Sequence, residues 1–416
     1  MQLALFEDHH WRNLLPMALT RATFDVKVGA RTYYEECVHA GKEPAVLLVR
    51  DYLEKITAER HGHAANPSSI DSDTIFINGL VHPATIDFAR LKGITHTFAI
   101  THRGRLVVAR LAKKAAEHLT KSVRAGRPID LKKLDAEKST ELKGEAEGVI
   151  SDPWDIIRVL ENSLAVQCAA QESSSLNATV IGAASVVAEG AEIEDGVVLD
   201  ARRGPIYIGP GASIAASRIV GPAYVGPETQ VKQFSIIESS FIGRNCRVAG
   251  EMEHSIISDY SNKAHAGFVG HSYVGEWVNM GAMTTTSDLK MTYGNIKMGS
   301  KDKKVDTGLN KVGSFFGDMC KTSIGTLVYS GGRIGACSHL HGLVAGDVSA
   351  FTIYGKSLGA RNTELEMASA IETQKRVMPR RGQSMSKAYE QMIKDAFLMT
   401  AAERKKAGVR RAKFAL

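Results

Sequence analysis

Residues 180–196 read VIGAASVVAEGAEIEDG, and residues 241–250 read FIGRNCRVAG. In both, an aliphatic residue returns at every sixth position, often with Gly beside it. Ile181, Val187, Ile193 and Leu199 are spaced by six, as are Ile208, Ile214 and Val220, then Val225, Val231 and Ile237. Ile242 and Val248 continue the series, and Val328, Ile334 and Leu340 resume it. A period of six fits neither a helix nor one alternating strand, so it calls for a repeat architecture. The physical solution is a triangular prism. Each hexad lays a short strand along one face, turns at a small residue and points its aliphatic side chain inward. Three hexads close a coil, and coils must stack to bury their interiors. A β-sandwich would instead show period two, with turns every 8–12 residues or so.

These stretches resemble the hexapeptide-repeat acyltransferases. The resemblance implies a left-handed parallel β-helix, an exception to the usual right-handed crossover. It also implies a homotrimer with active sites between neighbouring prisms.

The chain has 416 residues, 44% hydrophobic, 38 of them Gly and only 6% aromatic. That suits two or three domains and a narrow, aliphatic prism. Its five cysteines (Cys37, Cys168, Cys246, Cys320, Cys337) are odd in number, and none forms a CxxC pair. This argues for a reducing compartment and against disulfide or zinc frameworks, so no metal site is expected. The start, MQLALFEDHHW, lacks the basic region and long apolar core of a signal peptide. No apolar run approaches ~20 residues. A cytoplasmic protein without a membrane partner is the expectation. Of the net charge of +7, residues 363–416 supply +6, from 12 Lys/Arg and 6 Asp/Glu. The body is nearly neutral, and a nucleic-acid partner is not expected.

Residues 1–112 alternate strand and helix patterns. QLALF, AVLLVR and DTIFING read as strands, Thr32–Ala40 as a helix, and HTFAITHRGRLVVARL as a hairpin around His102–Gly104. An α/β layer domain with a mainly parallel sheet follows. The opening strand, NLLPMALTR, VGARTYYE and DTIFINGLV resemble the bacterial sugar nucleotidyltransferase-like group. They also resemble, more weakly, the nucleotidyltransferase half of bifunctional N-acetylglucosamine-1-phosphate uridyltransferase/glucosamine-1-phosphate acetyltransferases. Two features of that family are absent. The Gly-rich phosphate loop is replaced by EDHHWRNLLP, and Leu80 stands where the family has its metal-binding Asp. Magnesium is therefore expected only if this domain transfers nucleotides. Arg12, Arg21, Lys27 and Arg31 are phosphate candidates, against the alternative of solvated surface cations.

Residues 113–176 read as a helical connector: two exposed helices or a linker to about residue 150, then an amphipathic helix with Ile156, Ile157, Leu160 and Leu164 on one face. The β-helix is expected over 177–350. Within it, Thr284–Asn310 drops the repeat, and a polar excursion of that length is usually functional. Residues 351–416 read as a basic helical tail, two docking helices split at Pro379–Gly382.

Asn262–Leu289, NKAHAGFVGHSYVGEWVNMGAMTTTSDL, resembles the acetyltransferase half of the bifunctional enzymes. The resemblance places the catalytic base on His265, the acceptor-binding aromatic on Phe268, the acceptor-contacting Asn on Asn279 and the acetyl-proximal residue on Ala282. Acyl transfer from a thioester needs a base, and imidazole titrates near working pH. It also needs a donor for the oxyanion, such as a backbone N–H at Ala282 beside Gly281. The competing reading makes His265 a corner residue bonding a neighbouring carbonyl, and Asn279 part of an inward asparagine ladder. His271 is expected on the next face, away from the site. By the same resemblance, Asp288 stands where the family has Asn, Leu289 where it has Tyr, and Glu253, with Glu251 beside it, where a basic residue grips the sugar phosphate, so the acceptor lacks that phosphate, or Arg247 or a neighbouring subunit holds it. Thr326, Lys321, Arg333, Gly342 and the backbone of Gly325 are candidate contacts for acetyl-CoA as co-substrate. The resulting expectation is acyl-CoA-dependent transfer, most simply of acetyl, onto an amino sugar or sugar phosphate in nucleotide-sugar biosynthesis. The alternatives are a sugar-1-phosphate nucleotidyltransferase and a non-catalytic trimeric scaffold binding a nucleotide or sugar.

Overall fold

Each coil of the repeat lays down three short strands, one on each face of a parallel β-helix. The computed structural model describes residues 2–71, 73–143, 148–169, 177–300 and 303–415. The first face runs through eight parallel strands from Val186–Val187 to Arg333–Ile334. The second runs from Glu192–Ile193 to Thr352–Tyr354, closed by antiparallel Thr363–Glu364. The third falls into two blocks, six strands from Thr179–Ile181 to Phe268–Gly270 and three from Thr285–Thr286 to Leu343–Val344. Where the blocks meet, hydroxyls stand in for backbone acceptors. Phe268 N donates to Thr285 Oγ1 (3.5 Å) and Gly270 N to Thr286 Oγ1 (3.3 Å).

Leu199, Ile208, Ile214, Val225, Val231, Ile237, Ile242, Val248, Val328, Ile334 and Leu340 fill one continuous interior. Ile193 packs against it from the partly covered end. Three expected members do not belong. Val186 and Ile219 take the inward register in place of Val187 and Val220, as the pairings Val186↔Ile206 and Leu199↔Ile219 fix, and at the open end Val180, not Ile181, pairs with Leu199 but stays exposed. A one-residue slip flips a side chain to the other face of a strand, and these coils carry extra residues. One interior place holds a cation. Lys263 pairs in register with Val248, and its Nζ donates to the carbonyls of Ala249 (3.1 Å) and His265 (2.9 Å). Burial pushes this ammonium down to about 8. All five cysteines are free and buried.

The N-terminal sheet contains Gln2–Phe6 between Val46–Leu48 and Thr74–Asn78, all parallel. The expected hairpin forms from Phe98–His102 and Arg105–Arg110 and joins antiparallel to Thr74–Asn78. Residues 113–142 differ from the exposed helices expected. Lys113–Arg124 is an amphipathic helix that buries Ala115, Leu119 and Val123 against the sheet. Lys138–Leu142 then adds a parallel strand beside Phe98–His102. Its side chains are all exposed, so no hydrophobic pattern marks it. Pro153–Gln167 is the expected amphipathic helix, with Ile156, Ile157, Leu160 and Leu164 buried.

One apolar core joins the parts. At the corner between the first and second faces, Trp277, Met319, Cys337 and Phe351 pack with Leu53 and Ile56 of the N-terminal domain. Ile371, Met378, Met392 and Ile393 of the tail complete that core. The tail forms helices Met367–Val377, Lys387–Met399 and Ala401–Lys406, broken at Gly382. The polar excursion folds back as an antiparallel hairpin, Lys297–Ser300 with Lys303–Asp306, and buries Ile296 and Met298 near Trp154 and Phe315.

Candidate functional site: two corners of the third face

His265 sits where the second face turns into the third. Gly267 makes the turn with φ +127°, and a Cβ there would lie 2.2 Å from the Thr284 carbonyl oxygen. The buried Lys263 ammonium grips the His265 carbonyl from inside. The His265 side chain is exposed, and its imidazole bonds no described residue. The reading of His265 as a corner residue bonding a carbonyl therefore fails. Asn262 pairs in register with Asn279, so His265 and Ala282, each three residues on, stack one coil apart, about 4.8 Å. The bond from Met283 N to the Ala266 carbonyl (3.0 Å) fixes this register. The N–H of Ala282 donates to no described residue.

Asn279 points outward, contrary to the inward ladder considered, and accepts from Asn262 Nδ2 (3.3 Å). Arg247, Asn262, Asn279, Lys321 and His339 share this outer column. Phe268 opens the third-face strand just after the His265 corner. His265, Phe268, Asn279 and Ala282 are thus gathered around one turn of the prism.

Glu253 and Asp288 belong to the other end of the third face. There the corner toward the first face carries His254 and His271 on successive coils, ring centroids 5.0 Å apart. His271 therefore ends the same face that Phe268 begins. Its Nδ1 lies 2.8 Å from Asp288 Oδ2, and His254 Nε2 lies 3.0 Å from Glu161 Oε2. Lys311 Nζ donates to Glu253 Oε1 (2.9 Å). Burial pushes the Asp288 carboxyl up, but His271 and Lys311 outweigh it and hold it below the usual range. A Cβ on Gly270 would meet Phe268 Cζ at 2.3 Å and Asp288 Oδ2 at 2.7 Å, so the aromatic ring bridges toward this second cluster. His254, Lys311 and Glu161 were not anticipated. The signal existed for one of them: His254, His271 and Asp288 are each 17 residues apart, one coil.

The expected coenzyme A contacts are mostly engaged within the chain. Thr326 is interior, its hydroxyl donating to the Ser323 carbonyl (2.9 Å). Lys321 Nζ caps the carbonyls of Trp277 (2.8 Å) and Met319 (3.1 Å), and burial pushes it down to about 8. Arg333 pairs with Asp347 (2.5 Å). A Cβ on Gly342 would meet Ser357 Oγ at 2.5 Å. Arg247 donates to the carbonyls of Cys246 and Glu228.

The phosphate candidates have partners too. Arg21 is buried and tied to Glu276 (2.7 Å) and Asp318 (2.6 Å) of the β-helix. It pins the N-terminal domain to the prism. Lys27 pairs with Glu35 (2.7 Å), Arg31 with Glu36 (3.3 Å), and Arg12 donates to the Gly126 carbonyl (2.8 Å). The carboxylates nearest the end of the first strand are spoken for. Glu7 is held by Arg50 (2.7 Å). Burial pushes Asp8 up, but His10, Arg105 and Asn78 outweigh it. With guanidinium groups already neutralising both carboxylates and no glycine cradle, these residues do not fit a magnesium–triphosphate site.

Among the described residues, no helix is long and apolar enough to cross a membrane. Residues 3–173 match the family model described as sugar nucleotidyl transferase. Over 91 residues, the chain is 32% identical to a bifunctional sugar-1-phosphate nucleotidylyltransferase/acetyltransferase of Sulfurisphaera tokodaii, covering 22% of this chain and 23% of that protein. Over 88 residues it is 32% identical to the bifunctional protein GlmU of Methanocaldococcus jannaschii, covering 21% of each. The chain therefore spans less than a quarter of the curated relatives it matches. An Arabidopsis UDP-N-acetylglucosamine acyltransferase structure overlays 56% of this chain and 98% of its own, at 12% identity and a TM-score of 0.27. The chain is similar to the sugar nucleotidyl transferases over residues 3–173 and, over shorter stretches, to proteins named for both that activity and acetyl transfer.

Proposed function

We propose that the protein is an acyl-CoA-dependent acyltransferase, acetyl-CoA being the simplest donor, acting on an amino sugar or sugar phosphate in nucleotide-sugar biosynthesis. The observation that carries this reading is the turn at His265: an exposed imidazole that bonds no described residue, at a position one coil from Ala282, whose N–H donates to none of them. His265 takes the proton from the acceptor's amine or hydroxyl as it attacks the thioester carbonyl. The Ala282 N–H steadies the oxyanion that forms. Collapse of that intermediate expels the coenzyme A thiolate, and the proton held on His265 neutralises it. Asn279 and Phe268 orient the acceptor. The open corner is completed by a neighbouring copy, so the working form is a homotrimer in the cytoplasm. The N-terminal domain binds a nucleotide or sugar without transferring a nucleotidyl group, because Arg50 and Arg105 occupy the carboxylates a metal would need.

The test is release of free coenzyme A thiol from acetyl-CoA with a panel of amino sugars and their phosphates. The parent releases thiol in an acceptor-dependent manner, and His265→Ala lowers the rate about 10²- to 10⁴-fold. Equal rates for parent and variant refute the role.

A further inference from the structure

The corner opposite His265 has features that acyl transfer does not use. One donor atom from each of Glu253, His254 and His271 lies within 4.8 Å of the other two. Each imidazole is braced through its second nitrogen by a carboxylate: His254 Nε2 by Glu161 (3.0 Å) and His271 Nδ1 by Asp288 (2.8 Å). That leaves Nδ1 of His254 and Nε2 of His271 as the remaining donors. A carboxylate behind each ligating imidazole is the usual support of a metal-bound histidine, fixing its tautomer and ring plane. Both histidines hold left-handed backbone, φ 46° and 45°, at corners where neighbouring coils place Ser239 and Gly313. Coil register thus fixes them one above the other.

The charge balance points the same way. Four carboxylates are bonded into the cluster, Glu161, Glu238, Glu253 and Asp288, against two cations, Arg203 and Lys311. Two negative charges remain, the complement of one divalent ion. Among the described residues the other such group, Asp8–His9–His10, lacks this surplus, because Arg105 already pairs with its one carboxylate.

We infer that Glu253, His254 and His271 form a binding site for one divalent transition-metal ion of the zinc type. Two imidazoles and a carboxylate are a familiar zinc donor set, with water in the fourth position. Ligand distances of about 2.0–2.1 Å draw the donors together and release Lys311 from Glu253. The ion then ties the end of the polar excursion, through Asp288, to the body of the prism.

The experiment titrates untagged, chelator-stripped full-length protein with Zn²⁺ alone by calorimetry, and with Co²⁺ by visible absorption. One ion binds per chain. Glu253→Gln and His271→Ala each abolish that site, and Glu253→Gln serves if the buried His271 change disturbs folding. Asp288→Asn weakens binding about 10- to 100-fold. Lys311→Met tightens it by removing the competing ammonium, and His10→Ala leaves it unchanged. Absence of saturable uptake by the parent, or the same stoichiometry in Glu253→Gln and His271→Ala as in the parent, overturns the inference. The outcome does not depend on whether the protein transfers acyl groups.

Discussion

Single side chains in this molecule are read best by asking what already occupies them. Arg21, Lys321 and Arg333 have the charge to hold a phosphate, yet each is committed to a partner within the chain. Sequence shows the charge and not the partner, because partners such as Asp318 lie almost 300 residues away. His265 is the opposite case: its neighbours in sequence placed it at a corner, and its ring bonds none of the described residues. His339 offers a titration test in the same outer column as Asn279. Burial, then Lys321 and His341, push its imidazole down to about 4, from an ordinary value near 6.5. The unfolded chain therefore binds the proton first as pH falls. Stability declines between about pH 6.5 and 4 and levels off below that. Denaturant unfolding of parent and His339→Gln across this window checks it. The variant has the shallower slope, and parallel curves contradict the burial of a neutral imidazole.

At the scale of the strand, the six-residue period was legible almost completely, because an interior filled only by stacking imposes it on the sequence. It misleads where coils are longer than three hexads. Ile219 rather than Val220 then points inward. Ile219→Ala should cost about 2–5 kcal/mol, as a fully buried aliphatic truncation does, and Val220→Ala less than about 1.5 kcal/mol. Chemical denaturation measures both, and a reversed order would contradict the register. The strand Lys138–Leu142 was illegible for a different reason: it is an exposed edge strand held by backbone bonds to Phe98–His102, with no face to bury. The excursion was legible as a break in the repeat. Its division of labour was not, since Ile296 and Met298 anchor it while Asp288 and Lys311 reach the histidine corner.

For the molecule as a whole, the three parts share one core, and a buried ion network crosses the junction between the N-terminal domain and the prism. Arg21 bonds Asp318 and Glu276, and Thr20 donates to the same Asp318 carboxylate (2.5 Å). Removing the guanidinium strands two acidic groups that folding has taken out of water. Arg21→Met is predicted to cost about 3–5 kcal/mol. The loss falls on the N-terminal domain and the prism together, so probes in each report one transition. A transition confined to one part would contradict a shared core. The central claim, however, concerns chemistry at the His265 turn, and location tests it most directly. A structure of the assembled protein with coenzyme A bound should place the thiol beside the His265 imidazole and the Ala282 N–H, in the cleft between two copies. A thiol lodged elsewhere, or a His265 ring facing bulk water in the full assembly, contradicts it.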